Sequence, residues 1–158
     1  VNRNDRATIA VADPSELDEV ERLVTRVGLP TGGIRAGKGR FWLARDGDGR
    51  VVGCVGLEPY GAQALLRSLA VDPSYRGVGT GRALVETAIA EAGSQAEEIV
   101  LLTTTARAYF ARLGFGVMNR ADLRGPVNAS EEVASLCPDT ATVMVLARPR
   151  ADGRRGAP

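Results

Sequence analysis

The chain contains no histidine, and that absence removes Ser-His-Asp and Cys-His nucleophilic machinery, imidazole acid–base catalysis and every metal site with an imidazole ligand. Cysteine is scarce as well. Cys54 and Cys137 lie far apart, form no Cys-x-x-Cys pair and offer no disulfide framework, so they read as free thiols of a reducing compartment. Lys38 is the sole lysine in a total of 20 Lys and Arg, which argues against a catalytic Schiff base. Neither sign of charge is in excess: 20 cations against 19 anions leave a formal net charge of +1, with no bulk attraction for nucleic acid or an anionic membrane. No apolar run approaches the length of a membrane span, and Val1 to Arg6 are polar rather than signal-like. A soluble, cytoplasmic protein without nucleic-acid or membrane partners is expected, and no metal is required.

What is present is an ordinary globular composition, 44% hydrophobic and 25% charged over 158 residues. One domain over residues 1–148 is expected, with residues 149–158, rich in Gly, Pro and Arg, as a flexible tail. The β-branched run from Ala7 to Ala12 predicts a strand. Asp13-Pro14-Ser15-Glu16 then supplies the cap of a helix whose apolar stripe is Leu17, Val20, Leu23, Val24 and Val27 and whose end falls near Gly28. Glycines at 32, 33, 37 and 39 make Leu29 to Arg40 a loop or a broken helix, placed to border a substrate pocket. Phe41–Arg45 and Val51–Glu58 flank Asp46-Gly47-Asp48-Gly49, a hairpin signal, and Ala64 to Val71 makes a third antiparallel strand.

Further on, the apolar period changes to that of a helix through Leu84, Val85, Ala88, Ile89 and Ala92, which stops at Gly93. Glu98–Thr103 reads as a strand, Thr105–Leu113 as a short helix, and Phe115–Met118 and Ala141–Ala147 as the last two strands. Between those strands, Asn128-Ala129-Ser130-Glu131 has the spacing of a capping box with Asn128 as cap, so an extra helix over the sheet edge is expected.

The segment that carries chemistry is Leu69-Ala70-Val71-Asp72-Pro73-Ser74-Tyr75 followed by Arg76-Gly77-Val78-Gly79-Thr80-Gly81-Arg82, a strand, a polar turn and three alternating glycines opening a helix. Glycines let backbone N–H groups approach an anion, and a helix N-terminus adds partial positive charge, so the segment forms a phosphate cradle. A P-loop would need Gly-Lys-Ser/Thr and a dinucleotide fingerprint a third glycine where Arg82 stands. The spacing instead resembles the acetyl-CoA motif of the GCN5-related N-acetyltransferase (GNAT) superfamily, and Ala106-Arg107-Ala108-Tyr109-Phe110-Ala111-Arg112-Leu113-Gly114-Phe115 resembles its second motif.

That resemblance implies an α/β fold of the α+β kind, a mixed and mostly antiparallel sheet of about seven strands flanked by about four to five helices. It implies acetyl-CoA as co-substrate, a small-molecule amine as acceptor, and leaves a homodimer open. The pantetheine arm would add hydrogen bonds to the backbone at Leu69 and Val71, and the pyrophosphate would sit on Arg76, Gly77, Val78, Gly79, Thr80, Gly81 and Arg82. Thr103 stands where members often hold the pantetheine with asparagine. Phe110 stands where many members place the tyrosine that protonates the leaving thiolate; Tyr109 is one residue earlier, about 100° around a helix, and Tyr60 is another hydroxyl to weigh. A narrower resemblance, in Leu65-Leu66-Arg67-Ser68-Leu69-Ala70-Val71 and Leu136-Cys137-Pro138, is to short N-acetylglutamate synthases and to arsenic-resistance N-acetyltransferases linked to arsinothricin and phosphinothricin.

An amine with a pKa of ~10.4 costs roughly 4 to 5 kcal/mol to deprotonate at neutral pH. Glu58, at a strand end, is the candidate to take that proton or to anchor the ammonium; a solvated strand-end carboxylate is the bland alternative. Strict alternation puts Arg67 on one face with Leu65, Leu69 and Val71, where its charge either binds a substrate carboxylate or meets a structural one, and turns Ser68 to the other face. Cys137 borders the pocket or is simply a small buried residue. No activated nucleophile is evident, so direct transfer to the acceptor is expected. Besides amino-acid acetylation, two readings stay open: N-acetylglutamate synthesis and a non-catalytic acyl-CoA sensor.

Overall fold

The computed structural model describes residues 6–148; the expected tail at 149–158 lies outside the described residues. Strand β1 (Thr8–Val11) hands over to a single helical turn, Pro14–Glu16, and then to α1 (Leu17–Arg26). The entry is a reciprocal cap: Asp13 accepts from the backbone of the turn, while the Asp13 N–H donates to Glu16 Oε2 at 2.8 Å. Val20, Leu23 and Val24 form the buried stripe, and the chain leaves the helix at Gly28 with φ +79°, a conformation that costs a glycine nothing. Residues 29–39 are a chain of turns.

Strands β2 (Arg40–Arg45) and β3 (Val51–Tyr60) form the expected hairpin, whose turn is held by Asp46 Oδ1 accepting from the N–H groups of Asp48 and Arg50 at 2.9 and 3.0 Å. Strand β4 (Gln63–Val71) pairs antiparallel with β3, α2 (Thr80–Glu91) crosses over, and β5 (Glu98–Thr103) returns parallel to β4. Helix α3 (Arg107–Arg112), β6 (Gly116–Met118) and β7 (Thr142–Ala147) complete a seven-stranded sheet in the order β1-β2-β3-β4-β5-β7-β6. Only β4 and β5 are parallel, as a mixed and mostly antiparallel sheet requires. The helical complement is lighter than expected: three α-helices and five short helical turns among the described residues.

One face of the sheet is covered by α2 and α3, over a core of Val55, Leu57, Leu66, Leu84, Ile99, Leu101, Phe110 and Met144. The other face is shared. Helix α1 packs Val20, Leu23 and Val24 on Phe41, Leu43, Cys54 and Ala70, while the segment between β6 and β7 packs Leu123, Val127 and Val133 on Leu65, Val100 and Val143. Fully burying such a side chain contributes about 1.5–3 kcal/mol.

That intervening segment corrects the expectation of a regular helix capped by Asn128. It consists of turns at Arg120–Asp122, Pro126–Ala129 and Glu132–Leu136. Asn128 lies inside the second turn, because Gly125 and Pro126 start it earlier, and its amide donates to Leu123 O at 2.8 Å. Ser130 Oγ instead accepts from Val133 N–H at 3.2 Å. Gln63 fastens the segment to the sheet, donating to Arg124 O at 2.7 Å and accepting from Val127 N–H at 3.2 Å. We refer to residues 119–140 as the strap.

Candidate active site

The parallel strands pair only over Gln63–Leu65 and Glu98–Val100. Beyond that register β4 and β5 part, and the opening, bordered by Leu66–Val71 and Leu101–Thr103, becomes a cleft of about 840 Å³. A strand edge left unpaired exposes backbone donors and acceptors to whatever extended chain enters.

The parting coincides with a bulge in β4. Cys54 faces Ala70 and Gly56 faces Arg67, so Ser68 and Leu69 together oppose Val55. Ser68 has φ +56°, the one non-glycine with positive φ among the described residues, a strain of about 1–3 kcal/mol held by the surrounding sheet. The extra residue overturns the alternation expected for this strand. Leu69 and Val71 pack with the α2 side, Arg67 lies on the opposite face with Leu65 and Ala70, and Ser68 turns to accept from Arg67 Nε at 3.1 Å.

One end of the cleft is the glycine turn. Gly77 and Gly79 have φ +82° and +87°, and a Cβ at either would meet open space rather than protein. Gly79 is the N-cap of α2, so the N–H groups of Thr80, Gly81 and Arg82 in its first turn have no partner within the helix. Thr80 is buried against Gly53, Val78 is exposed, and the arginines stand at the rim: Arg76 Nε donates to Val71 O at 3.2 Å and Arg82 Nε to Glu86 Oε1 at 2.9 Å. These backbone donors and cations fit a pyrophosphate.

Tyr109 and Phe110 both line the cleft but sit in different surroundings. Phe110 is 7% exposed, stacked edge-on between Tyr109 and Phe115, and touches the cleft as core. Tyr109 lies over the start of α2, where a Cβ on Gly81 would fall 2.6 Å from its hydroxyl; burial raises its pKa. Its hydroxyl therefore stands at the first turn of α2. Thr103 Oγ1 accepts from Ala106 N–H at 3.0 Å, fixing the turn that leads into α3.

The other end is charged and buried. Arg67 Nη1 meets Glu58 Oε1 at 2.9 Å with both side chains nearly inaccessible, and Arg67 Nη2 donates to Gly32 O at 2.6 Å. Tyr60 donates to Glu58 Oε2 at 2.7 Å; burial first, and then Glu58, push its pKa up to about 12. Glu58 thus has both oxygens engaged, and Arg67 meets a carboxylate of the protein itself while two of its five N–H groups stay uncommitted. The glycine loop is shaped for this cluster: a Cβ on Gly33 would lie 2.9 Å from Arg67 Nη1, and one on Gly32 would lie 2.7 Å from Leu136 of the strap.

The strap brings one group the sequence reading missed. Glu132 lines the cleft, 6% exposed, with Oε1 4.0 Å from Arg67 Nε, and burial raises its pKa to about 7 despite Arg67. Its only sequence signal was a second glutamate beside the supposed capping box. Cys137 also lines the cleft, but burial, then Glu132, push its thiol up to about 11, unsuited to nucleophilic attack. No group of three or more His, Cys, Asp or Glu among the described residues is placed to hold a metal, and no described helix is long and apolar enough to cross a membrane.

The structure is a seven-stranded α/β sheet whose two parallel strands part beside a glycine-opened helix, leaving an open strand edge and free backbone N–H groups along one cleft. Residues 37–117 match the acetyltransferase (GNAT) domain family, and the chain belongs to that family. It is 35% identical over 77 residues to an uncharacterized N-acetyltransferase of Chlorobaculum tepidum, covering 48% of this chain and 50% of that protein. To an amino-acid acetyltransferase of Mycobacterium tuberculosis it is 36% identical over 78 residues, covering 48% and 45%. The chain thus spans about half the length of these curated relatives. Among solved structures, Rv2747 of M. tuberculosis in complex with CoA superimposes with a TM-score of 0.75 at 24% identity, over 90% of this chain and 99% of that one. The N-acetylglutamate synthase of Neisseria gonorrhoeae, complexed with CoA and N-acetyl-glutamate, gives 0.74 at 18% identity, over 91% of this chain and 36% of that one.

Proposed function

We propose that the protein transfers acetyl from acetyl-CoA to the primary amine of a small amino acid or amino-acid-like compound. The observation that carries this reading is the continuity of the cleft: a parted strand edge for an extended arm, the α2 N-terminus for phosphates at one end, and a buried charged cluster at the other. Acetyl-CoA would supply the activated thioester. The chain's part is to hold its arm along Leu69 and Val71, neutralise its phosphates on residues 76–82, and present an acceptor amine at the Arg67 end.

The amino-acid class is supported by Arg67. Its guanidinium carries five N–H groups, of which one each goes to Ser68, Glu58 and Gly32; the remaining N–H groups suit the carboxylate of an amino acid. Glu58 then acts as the counter-ion that orients Arg67 rather than as the base, since protonating it would break the pair. The relatives named as amino-acid acetyltransferase and N-acetylglutamate synthase fit the same class. Arsinothricin and phosphinothricin are amino-acid-like amines within it.

The test is thiol release from acetyl-CoA across a panel of glutamate, other amino acids, arsinothricin, phosphinothricin, polyamines and aminoglycosides. Turnover is expected on a carboxylated amine. Gly79→Trp should abolish acetyl-CoA binding in calorimetry while the circular dichroism spectrum is kept. Tight acetyl-CoA binding with no acceptor in the panel would favour an acyl-CoA sensor instead, and unchanged affinity in the Gly79 variant would refute the cradle.

A further inference from the structure

The charged end of the cleft holds three carboxyl groups around one guanidinium, and of the three only Glu132 lines the cleft. Glu58 is doubly engaged, by Arg67 and Tyr60. Glu131 is exposed on the strap, its Oε2 about the Gly33 corner of Arg67. Glu132 lines the cleft itself, and its nearest cation, Arg67, lies at 4.0 Å. No fully buried side-chain oxygen among the described residues lacks a partner, so the Glu132 carboxylate, to which no described residue donates, is open to the cleft, where a ligand can reach it.

Resting on the acetyl-transfer reading, we propose that Glu132 is the general base, taking a proton from the acceptor's ammonium group. The proton budget then closes. The ammonium gives one proton to Glu132, which releases it to water; the freed nitrogen lone pair forms the N–C bond as the C–S bond breaks; the second nitrogen proton leaves with the sulfur as the thiol of CoA. Glu132 also supplies the negative charge that draws the ammonium in, while Arg67 faces the acceptor's carboxylate, so the pair of groups reads the two charges of a zwitterion.

The electrostatics suit the task. The groups facing Glu132 are Arg67 on β4 and Glu58 on β3, with Tyr60 behind Glu58; its own segment adds Glu131 and Cys137, with Arg120 beyond; the 29–39 loop brings the backbone of Gly32 and Gly33 to this corner. Because Glu58 already neutralises Arg67, burial dominates at Glu132 and its carboxyl ionises near neutrality, at about 7.

The experiment measures kcat/KM against pH for wild type and Glu132→Gln on the acceptor found active, together with carboxyl titration by NMR of the protein labelled with carbon-13 at the glutamate side chains. Wild type should rise to a plateau above about pH 7, and one carboxyl resonance should titrate there and vanish in the variant. Glu132→Gln should lose about 10²-fold in kcat/KM at pH 7, then regain rate steadily with pH up to the acceptor's own pKa. An acceptor whose amine is already neutral at pH 7 should lose far less. A variant within threefold of wild type with the same pH profile, or no glutamate titrating above pH 6, would overturn the base while leaving acetyl transfer standing. Wild type inactive on every amine would overturn the acetyl-transfer reading and the base together.

Discussion

Replacing Glu132 by glutamine tests the electrostatics of the site without any substrate. In the folded protein the carboxyl holds its proton up to about pH 7, against an ordinary value of 4.5. Between those values the folded state binds more protons than the unfolded state, so stability falls as pH rises. The contribution is therefore fully present below about pH 4.5 and lost as pH climbs through 7. At about 1.4 kcal/mol for each tenfold change in proton affinity, the span amounts to about 3 kcal/mol. Glutamine keeps the shape of the protonated acid and carries no charge to desolvate. Glu132→Gln should accordingly be more stable than wild type by about 2–3 kcal/mol at pH 8, in urea unfolding monitored by circular dichroism, with the gap shrinking below about 1 kcal/mol at pH 5. Other titrating groups are common to both proteins and cancel in the difference. A gap of equal size at both pH values, or a wild type that is the more stable at pH 8, would refute the assignment of burial as the dominant cause.

Two further outcomes follow from contacts on the same sheet. Gly81→Ala should weaken acetyl-CoA binding in calorimetry because the new methyl falls 2.6 Å from the Tyr109 hydroxyl, and Tyr109→Phe in that background should restore it, since the ring carbon behind the hydroxyl is 3.5 Å away; a double variant as weak as the single one would mean that the clash is not the cause. Arg67→Met and Glu58→Leu should each destabilise by about 3–5 kcal/mol in chemical denaturation, by leaving the partner's buried charge unpaired, whereas the double replacement should cost less than the two summed. Strict additivity would show that the two charges do not depend on each other.

Much of this architecture is visible in the sequence because it rests on local periodicity. The Val20, Leu23, Val24 stripe, the Asp46 turn and the glycines of residues 77–81 each act within a few residues, so α1, the β2–β3 hairpin and the glycine turn that opens α2 could be drawn from sequence alone. The face of Arg67 could not. A period-2 strand admits one insertion anywhere along it, and the inserted residue here is Ser68, a serine in a conformation usually marked by glycine. The strap was equally opaque: its turns follow Gly125, Pro126 and Ser130 rather than a helical period, and Glu132 reaches the site through tertiary placement.

The bulge connects these particulars. Had β4 kept its alternation past Arg67, Leu69 and Val71 would have joined Arg67 on one face, and the strand edge and the charged cluster would have competed for the same side of the sheet. The inserted residue separates them: the backbone beyond Ser68 borders the parted edge, its side chains join the α2 core, and Arg67 is turned toward Glu58, Gly32 and the strap. On the proposed acetyl-transfer reading, the strain at Ser68 serves a division of labour, one length of β4 offering backbone to an extended arm and the preceding residue offering charge to the acceptor. Removing the bulge, for instance by deleting Ser68, should therefore damage both functions at once, and no substitution confined to Arg67 should reproduce the loss of acetyl-CoA affinity that the deletion brings.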